Sequence, residues 1–319
     1  MYRFWDSITG SLLDIVRPKV IVEVGSDYGP NTRNLLEFCQ RHDATLHVVD
    51  PVPKYDVAEW TERHGEYAIF HQSTSLEALR EIEGFDVVFI DGDHNWYTVF
   101  NELTLINRRS EEISQPFPLV ALHDVGWPYG RRDSYYDYDG IPENQRQPCA
   151  KKGMIPGDAG LAEKGGLNQG FPNATSEGGA RNGVLTAVED FLVQTHWEIE
   201  TITIHGLHGL GLLVPSYLKE QNPGLGEFLA TLELPSAMAR HLERVEEGRL
   251  EAEIGRQELR TELRRLEARR KREMETRQEG GPQTGEDLRQ QLHNLRRRNK
   301  ALREKVELLE EQIKASQNT

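Results

Sequence analysis

A chain of 319 residues with 37% hydrophobic residues is long enough to bury one sizeable core, and its 28% charged residues predict a further, solvated stretch. The charge is uneven, because residues 1–235 contain 18 Lys and Arg against 35 Asp and Glu, whereas residues 236–319 contain 20 against 17. An acidic domain repels nucleic-acid phosphates, so this pattern disfavours a DNA or RNA partner. A small or sugar-like ligand is easier to accommodate.

The sequence shows no sign of secretion or of a disulfide-stabilised fold. The two cysteines, Cys39 and Cys149, lie far apart and match no metal-ligand spacing. The segment MYRFWDSITGSLLDIV lacks the basic start and the unbroken apolar run of a signal peptide, and no 18 apolar residues follow one another as a membrane helix requires. We therefore expect a cytoplasmic protein without membrane insertion.

Strand and helix patterns alternate over the first 124 residues. The predicted helices and strands, in chain order, are 6–17, 19–25, 31–42, 46–50, 57–64, 67–72, 76–82, 86–93, 97–106 and 118–124. Such alternation indicates a parallel α/β sheet with helices on both faces. A helix over 180–194 and two strands within 197–215 bring the predicted strands to seven.

Between these parts, residues 125–180 are rich in Gly, Pro, Tyr and Asn without a sustained period, and we predict a long substrate or lid loop. Its aromatic and basic residues are Trp127, Tyr129, Tyr135, Tyr136, Tyr138, Arg131 and Arg132. Aromatic faces beside bidentate polar groups are typical of a carbohydrate or polyphenol site. The alternative is a surface loop whose aromatic side chains pack on its own domain.

After a domain over 1–235, the composition becomes mostly Glu, Arg, Leu and Gln. We predict helical segments over 236–279 and 286–319, joined by a hinge over 280–285 at Gly280-Gly281-Pro282. The second segment has a coiled-coil seam of Leu288, Leu292, Leu295, Asn299, Leu302, Val306, Leu309 and Ile313. Asn299 favours a parallel dimer, whereas Arg249, Arg256 and Arg270 at seam positions of the first segment predict weaker pairing there.

A glycine-rich turn follows the first predicted strand. The string VEVGSDYGPNT places Glu23 before Gly25 and Gly29 four residues later, where glycines let a ligand approach the backbone and the next helix offers free N–H groups. Asp50 ends the next strand, and its carboxylate can accept both hydroxyls of a ribose. The pattern is not GxGxxG, so a dinucleotide fold is the weaker interpretation. A plain tight turn with a capping aspartate is the other alternative.

This pair of signals resembles the first motifs of class I S-adenosylmethionine-dependent methyltransferases. The resemblance implies a Rossmann-like, seven-stranded methyltransferase sheet, which the two late strands would complete. It also implies that the turn holds the methionine portion of the cofactor and that Ser73 borders the adenine. The cofactor-binding residues it implies are Glu23, Gly25, Ser26, Tyr28, Gly29, Asp50, Ser73 and Asp91.

The densest group of reactive side chains follows two neighbouring predicted strands. Asp91, Asp93 and His94 come after one strand, and PLVALHD delivers His123 and Asp124 to the same edge, where open α/β sheets bind ligands. Oxygen ligands of this kind suit Mg²⁺. The alternative is that the two carboxylates after the first strand cap the following helix and that the histidines are ordinary polar residues of a crevice.

The string IDGDH and the acidic pair after the next strand resemble the metal-dependent sugar O-methyltransferases of the macrocin, mycinamicin and novobiocin type. The resemblance implies that Asp91 and Asp124 bind Mg²⁺, with His123 as the third metal position, and that His94 acts as the base. His123 stands where the family has Asp or Glu. Either the metal is then Mn²⁺, or His123 supports a ligand or contacts the substrate. The catalytic residues are predicted to be His94, Asp91 and His123.

The expected function is therefore transfer of a methyl group from S-adenosylmethionine to a hydroxyl of a sugar or glycan, assisted by Mg²⁺ or Mn²⁺. One alternative is a methyltransferase of a small aromatic natural product, which turnover of catechols rather than glycosides would reveal. Another is an inactive scaffold that recruits partners through its coiled coil. A scaffold of that kind would show no saturable binding of S-adenosylmethionine.

Overall fold

The structure is a computed structural model and describes residues 1–278 and 286–317. The predicted hinge at 280–285 lies outside the described residues. Among the described helices, none combines the length and the apolar character that crossing a bilayer would need.

Seven strands form one mixed sheet in the order β3-β2-β1-β4-β5-β9-β8. The strands are β1 Val20–Val24, β2 Thr45–Val49, β3 Ala68–His71, β4 Val87–Ile90, β5 Leu119–His123, β8 Ile199–Ile204 and β9 Leu210–Pro215. β1 to β5 run parallel, and β9 is antiparallel to both β5 and β8. The predicted α/β class and the Rossmann-like methyltransferase arrangement of seven strands are confirmed.

Ten α-helices accompany the strands in the described residues. They are α1 Gly10–Val16, α2 Pro30–His42, α3 Val57–His64, α4 Ser75–Ala78, α5 Trp96–Glu112, α6 Val184–Gln194, α7 Ser216–Gln221, α8 Pro223–Leu232, α9 Ser236–Gln278 and α10 Glu286–Gln317. α4 is shorter than predicted and continues as hydrogen-bonded turns to Ile82. α7 and α8 were not predicted, because their short apolar stretches give little periodic signal.

The sheet is covered on both faces, as the parallel arrangement requires. One buried cluster includes Leu12, Leu35 and Leu225 from helices on one face, and the other includes Val99, Leu103 and Phe191 from α5 and α6 on the opposite face. Every residue of β4 and β5 is buried. Burial of an aliphatic side chain stabilises the fold by about 1.5–3 kcal/mol, so these central strands give the catalytic edge a rigid base.

The segment predicted as a long lid loop is an ordered insert. It contains a two-stranded sheet, β6 Cys149–Lys151 and β7 Pro172–Ala174, and its residues Tyr129 and Tyr135 are buried. Arg132 is fully buried and donates hydrogen bonds to the carbonyls of Ala174 at 2.6 Å and Ala159 at 2.8 Å. The alternative of aromatic side chains packing on their own domain is therefore correct for these two tyrosines.

α9 and α10 pack against each other within the chain as an antiparallel pair, which we call the helical hairpin. The position of Gly255 meets Leu302, and Arg296 pairs with Glu267 at 2.6 Å. The buried seam residues of this pair are Leu259, Leu263, Leu292 and Leu295. Leu292 and Leu295 of the predicted seam are thus covered by α9 of the same chain, and the predicted parallel dimer stays a prediction.

The helical hairpin also contacts the rest of the protein. Leu242 of α9 and Ile313 of α10 belong to the main hydrophobic cluster of the domain. Gln257 accepts a hydrogen bond from the backbone N–H of Asn168 in the insert at 2.8 Å. Arg249, which the sequence placed at a weak seam position, is only 1% exposed because it faces the domain rather than α10 alone.

Candidate functional site

The parallel strands β1, β2, β4 and β5 end at one edge of the sheet, where the predicted site residues collect. These residues are Gly25, Ser26, Tyr28 and Gly29 after β1, Asp50 after β2, Asp91 and His94 after β4, and His123 with Asp124 at the end of β5. Ser73 lies two residues beyond β3 at the same edge and is half-buried.

The turn after β1 needs glycine at two positions. Gly25 has φ of +86°, and a Cβ there would stand 2.3 Å from the carbonyl oxygen of Asp91. Gly29 has φ of +77°, and its Cβ would stand 2.6 Å from the indole of Trp60. Both backbones adopt the left-handed region that favours glycine. The turns after β1 and β4 can therefore touch, which brings the cofactor motif against the acidic cluster.

Asp50 connects the turn after β1 to the end of β2. Its Oδ2 accepts hydrogen bonds from the N–H and the hydroxyl of Ser26 at 2.9 and 2.8 Å, and its Oδ1 accepts one from the N–H of Val52 at 2.9 Å. A carboxylate oxygen has two lone pairs, so Oδ1 keeps one for a ligand. Asp50 therefore supports the turn and can still accept a ribose hydroxyl.

Glu23 lies beneath this turn rather than in it. Its two carboxylate oxygens accept hydrogen bonds from Asn31 at 2.8 Å and Thr32 at 2.6 Å, both in the first turn of α2. Burial raises the pKa of Glu23 to about 7, against the opposing effect of these bonds. Glu23 holds the start of α2 in place, and its direct contact with a cofactor stays a prediction.

Tyr28 is the most exposed of the predicted cofactor residues. It is 62% exposed, and the ammonium of Lys54 lies 4.9 Å from its ring centroid. An exposed aromatic ring at the mouth of the turn can cover a bound ligand. For both Tyr28 and Ser73, contact with the cofactor stays a prediction.

Asp91, His123 and Asp124 converge into one cluster. Nδ1 of His123 lies 3.1 Å from Oδ1 of Asp91 and 2.7 Å from Oδ2 of Asp124. One potential ligand atom from each residue falls within 4.8 Å of the others, so the three residues could hold a metal ion. The backbone nitrogen of Met1 lies 2.5 Å from Oδ2 of Asp91.

The charges of the cluster stabilise one another. Burial alone would lower the pKa of His123, but the carboxylates of Asp124 and Asp91 outweigh it and raise this pKa to about 9. Burial would raise the pKa of Asp124, yet His123 and then His94 hold it well below its usual range. Asp124 also adopts φ of +60°, a strained conformation of the kind that clusters at functional sites.

The second nitrogen of His123 determines how its ring is oriented. Nε2 lies 3.0 Å from the carbonyl oxygen of Leu207, and a carbonyl can only accept, so Nε2 carries a proton. Nδ1 then faces the two carboxylates. A histidine that binds a metal generally donates its other N–H to a carbonyl or carboxylate in this way.

His94 stands beside the cluster. Its Nδ1 lies 3.5 Å from Oδ2 of Asp124, its ring stacks on Tyr129 at 4.9 Å, and its Nε2 lies 3.4 Å from the hydroxyl of Tyr136. Tyr136 is 63% exposed. Nε2 of His94 is therefore the nitrogen that points towards the open side of the site.

Neither Asp91 nor Asp93 caps α5 directly, because the N-cap is Asn95, whose side chain accepts the N–H of Thr98. Asp93 accepts hydrogen bonds from the side chains of Asn95 at 2.5 Å and Thr98 at 3.0 Å at the start of α5. The carboxylate of Asp91 instead faces His123. Two carboxylates only two residues apart thus have different partners: Asp91 lies against His123, and Asp93 binds side chains at the start of α5.

The comparison with protein families agrees with the methyltransferase resemblance found in the sequence motifs. A profile described as a methyltransferase domain matches residues 22–125, from β1 to the residue after Asp124. Residues 22–125 are therefore similar to a methyltransferase domain. No curated protein matches the sequence at a significant level.

Several solved methyltransferases are similar to part of this chain. One is 1,6-didemethyltoxoflavin-N1-methyltransferase of Burkholderia thailandensis, at 16% identity over 67% of this chain and 77% of the other, with a TM-score of 0.39. Another is PaMTH1 of Podospora anserina, at 16% identity over 65% and 75%, with a TM-score of 0.40. A third is a putative caffeoyl-CoA O-methyltransferase of Staphylococcus aureus, at 13% identity over 65% and 80%, with a TM-score of 0.34.

The candidate site includes groups that sequence reasoning missed. Leu207 and His208 form the turn between β8 and β9, and Glu246 and Arg249 of α9 contact that turn. The sequence carries two signals for these groups: the glycine-flanked string GLHG and an arginine at a seam position. Neither shows which distant residue it meets, so the sequence did not reveal this side of the site.

Proposed function

We propose that this protein transfers a methyl group from S-adenosylmethionine to a hydroxyl of a sugar or glycan, and that a divalent metal held by Asp91, His123 and Asp124 assists the transfer. The observation that carries the proposal is the convergence of these three residues beside His94 at the carboxyl edge of a methyltransferase sheet. A base and a cation site next to each other are what the deprotonation of an alcohol requires.

The turn after β1 supports the cofactor side of this proposal. Gly25 and Gly29 leave room for the methionine portion, and the spare lone pair of Asp50 Oδ1 suits a ribose hydroxyl. Because Gly25 lies against the backbone of Asp91, a methyl donor in this turn would end next to the cluster. Donor and acceptor would then meet in one crevice, which supplies the proximity that transfer needs.

The residues of the cluster fit a divalent cation. Two carboxylates and one imidazole form a mixed oxygen and nitrogen set, which suits Mn²⁺ or another transition metal better than Mg²⁺. The ring of His123 already presents Nδ1 to the carboxylates, so binding requires loss of the Nδ1 proton without rotation of the ring. When bound, the metal would orient neighbouring hydroxyls of the acceptor and stabilise negative charge on the reacting oxygen.

His94 is placed to accept the acceptor's proton. Asp124 can hold a proton on Nδ1, which leaves Nε2 as the base on the open side where Tyr136 now lies. As the acceptor oxygen forms a bond with the methyl carbon, the bond from that carbon to sulfur breaks and its electron pair stays on sulfur. The hydroxyl proton passes to Nε2 of His94, and S-adenosylhomocysteine is the second product.

A sugar acceptor is favoured by the surface next to His94. Tyr136 is 63% exposed, and Phe171 meets its ring edge-on at 5.4 Å with 39% exposure. Both residues belong to the ordered insert. Exposed aromatic faces beside carboxylates and an imidazole can stack on a sugar ring while the polar groups bind its hydroxyls.

A radiolabel transfer assay tests the proposal. The full-length protein is given methyl-labelled S-adenosylmethionine with glycosides that carry vicinal hydroxyls, and in parallel with catechols. We expect label in the glycosides, loss of transfer in EDTA and recovery with Mn²⁺ or Mg²⁺. Full transfer in EDTA would refute the role of a metal. Labelled catechols without labelled glycosides would refute the sugar as acceptor.

Variants separate the acceptor side from the donor side. We expect His94→Ala and Asp91→Asn to abolish transfer, because both residues act on the acceptor hydroxyl, while calorimetry shows nearly unchanged S-adenosylhomocysteine affinity. His196→Ala is the control, since this histidine lies beside Trp197 and pairs with Glu111, outside the cluster. Near wild-type transfer in His94→Ala between pH 6 and 9 would exclude His94 as the base.

A further inference from the structure

The turn between β8 and β9 has an unusual backbone. Gly206, Leu207, His208 and Gly209 all have positive φ, and two of the four are not glycine, with φ of 53° for Leu207 and 71° for His208. Residues with a Cβ are disfavoured in this region, and they persist only where the surroundings hold them. Leu207 is also completely buried.

Glu246 of α9 binds this turn through both carboxylate oxygens. Oε2 accepts the N–H of Leu207 at 3.1 Å, and Oε1 accepts the N–H of His208 at 3.2 Å. Consecutive N–H groups of a left-handed turn form a small anion-binding concavity, and the carboxylate occupies it. Glu246 itself is held by Arg249, whose Nε and Nη2 each donate a bond of 2.7 Å.

His208 completes the connection between α9 and the turn. Its Nδ1 lies 3.1 Å from the carbonyl of Trp127, and its Nε2 lies 3.0 Å from Nη2 of Arg249. A carbonyl only accepts and a guanidinium only donates, so Nδ1 carries the proton and Nε2 is the acceptor. Burial and then Arg249 lower the pKa of His208 to about 4, which agrees with a neutral ring.

The opposite side of the same turn contacts the catalytic cluster. The carbonyl of Leu207 accepts the Nε2–H of His123 at 3.0 Å, and the carbonyl of His208 accepts the N–H of Gly126 at 2.7 Å. Leu207 and His208 therefore each donate an N–H to Glu246 of α9. On the other side, each accepts a hydrogen bond at its carbonyl oxygen, from His123 and Gly126 respectively. Leu207 alone thus connects Glu246 to His123 through two hydrogen bonds, one at its N–H and one at its carbonyl oxygen.

We propose that Glu246 is a positioning residue for catalysis, which acts through Leu207 to hold the ring of His123 with Nδ1 towards Asp91 and Asp124. The proposal rests on the proposed function, because it assigns to Glu246 a part in the same cluster. Its consequence is that the helical hairpin belongs to the catalytic unit and is more than an appended coiled coil. Through Glu246, the hairpin holds the turn at 206–209 in the strained conformation that supports His123.

Both helices of the hairpin support this contact. Ile313 of α10 is fully buried against the turn, and a Cβ at Gly206 would stand 2.7 Å from its Cγ2 atom. Glu310 of α10 lies 3.8 Å from Nη1 of Arg249. α10 therefore holds α9 and its Glu246–Arg249 pair against the turn.

The chain offers a matched control one heptad further along α9. Glu253 forms the same i,i+3 pair with Arg256, with bonds of 2.7 and 2.5 Å, and it is also buried. Its other hydrogen-bond partner in the described residues is Gln257. A substitution at Glu253 removes an equivalent ion pair from the same helix while the turn at 206–209 keeps its contacts.

Solvent exchange of the His123 Nε2 proton tests the proposal in the full-length, ligand-free protein. In ¹⁵N-histidine-labelled protein we expect Glu246→Gln to speed this exchange by about tenfold or more, because Leu207 is released, and Glu253→Gln to leave it unchanged. Glu246→Asp, too short to reach both N–H groups, should give an intermediate rate, and it replaces the glutamine variant if that one does not fold. Equal exchange in folded Glu246→Gln and wild type would overturn the proposal.

Metal affinity and kinetics give two further readouts. We expect Mn²⁺ binding, followed by electron paramagnetic resonance, to weaken about 10–100-fold in Glu246→Gln, the usual effect of removing support from a metal-binding histidine. Turnover should fall with an unchanged KM for S-adenosylmethionine. If the wild type binds no Mn²⁺, the proposed metal fails, whereas the proton-exchange result still decides the role of Glu246.

Discussion

Asp50 shows how one carboxylate can serve both the fold and the ligand. It accepts three hydrogen bonds at Oδ2 from the turn after β1, and one at Oδ1 from Val52. The contact of Asp50 with a ribose stays a prediction, and the structure adds a role in holding the turn that the sequence did not show. Removing the carboxylate should loosen the turn as well as remove the acceptor.

We expect Asp50→Ala to weaken binding of S-adenosylhomocysteine by about 1–3 kcal/mol, because ribose hydroxyls lose their acceptor. Calorimetry measures the affinity. Asp86→Ala is the matched control, since Asp86 also accepts two backbone N–H bonds, from Lys19 and Val20, but at the opposite end of β1. Equal affinity in Asp50→Ala and wild type would remove Asp50 from the cofactor site.

Glu102 of α5 is a buried carboxyl group outside the cluster. It is fully buried, and neither of its oxygens has a hydrogen-bond partner among the described residues. Burial raises its pKa to about 8. A folded-state pKa above the unfolded value means that the stability from this group is present at low pH and is lost as the pH rises from about 4.5 through 8.

We expect Glu102→Gln to be close to wild type in unfolding free energy at pH 5 and more stable by about 2–4 kcal/mol at pH 9, because the glutamine cannot ionise. Urea unfolding at both pH values measures the difference. Other titrating groups are common to the two proteins and cancel in the comparison. A stability difference that is the same at pH 5 and pH 9 would contradict the assigned burial of this charge.

At the scale of elements, the insert depends on one buried acidic residue as well as on Arg132. Asp133 is completely buried and accepts hydrogen bonds from the N–H groups of Trp96 and Gly183 at 2.7 Å each, and from the hydroxyl of Tyr135 at 2.8 Å. Burial raises its pKa to about 6. Asp133 joins the insert to the starts of α5 and α6, and so to the strand ends that carry the site.

We expect Asp133→Asn to lower the unfolding free energy by about 1–3 kcal/mol, because an amide nitrogen in place of one oxygen cannot accept these bonds. The insert should also become the first site of limited proteolysis. Asp137→Asn, an exposed aspartate in the same insert that accepts the N–H of Gly140, is the control. Unchanged proteolysis in Asp133→Asn would show that other contacts keep the insert closed.

At the scale of the whole molecule, one helical seam has two possible partners. The seam of α10 packs on α9 within the chain, with Leu292 and Leu295 buried. The sequence instead predicts pairing of two α10 helices, and Oδ1 of Asn299 is buried without a partner in the described residues. Both arrangements need the same apolar residues, so the parallel dimer requires release of α10 from α9.

The predicted parallel dimer should give twice the chain mass in light scattering. Asn299→Cys should then form a disulfide between chains, because identical positions face each other in a parallel, in-register pair. The control for the hairpin is the double variant Glu267→Cys with Arg296→Cys, which would close a disulfide within one chain. A single-chain mass together with that internal disulfide would contradict the parallel dimer.

Sequence alone determined the features that depend on local spacing. Alternating strand and helix patterns specify a parallel sheet, and parallel strands end at one edge, so Gly25, Asp50, Asp91 and Asp124 could be placed together without coordinates. The fold class was predictable for this reason. The candidate site was predictable on the side formed by β1, β2, β4 and β5.

Tertiary structure decided what depends on distant partners. The sequence indicates that Arg249 is a poor seam residue, but only packing shows that it and Glu246 bind the turn at Leu207 and His208, about forty positions earlier. Likewise, only packing shows that Arg132 is buried in the insert and that α10 covers α9. A charged side chain can be buried only where hydrogen-bond partners surround it. Partners that lie far away in the sequence cannot be recognised from the residues next to the charged one.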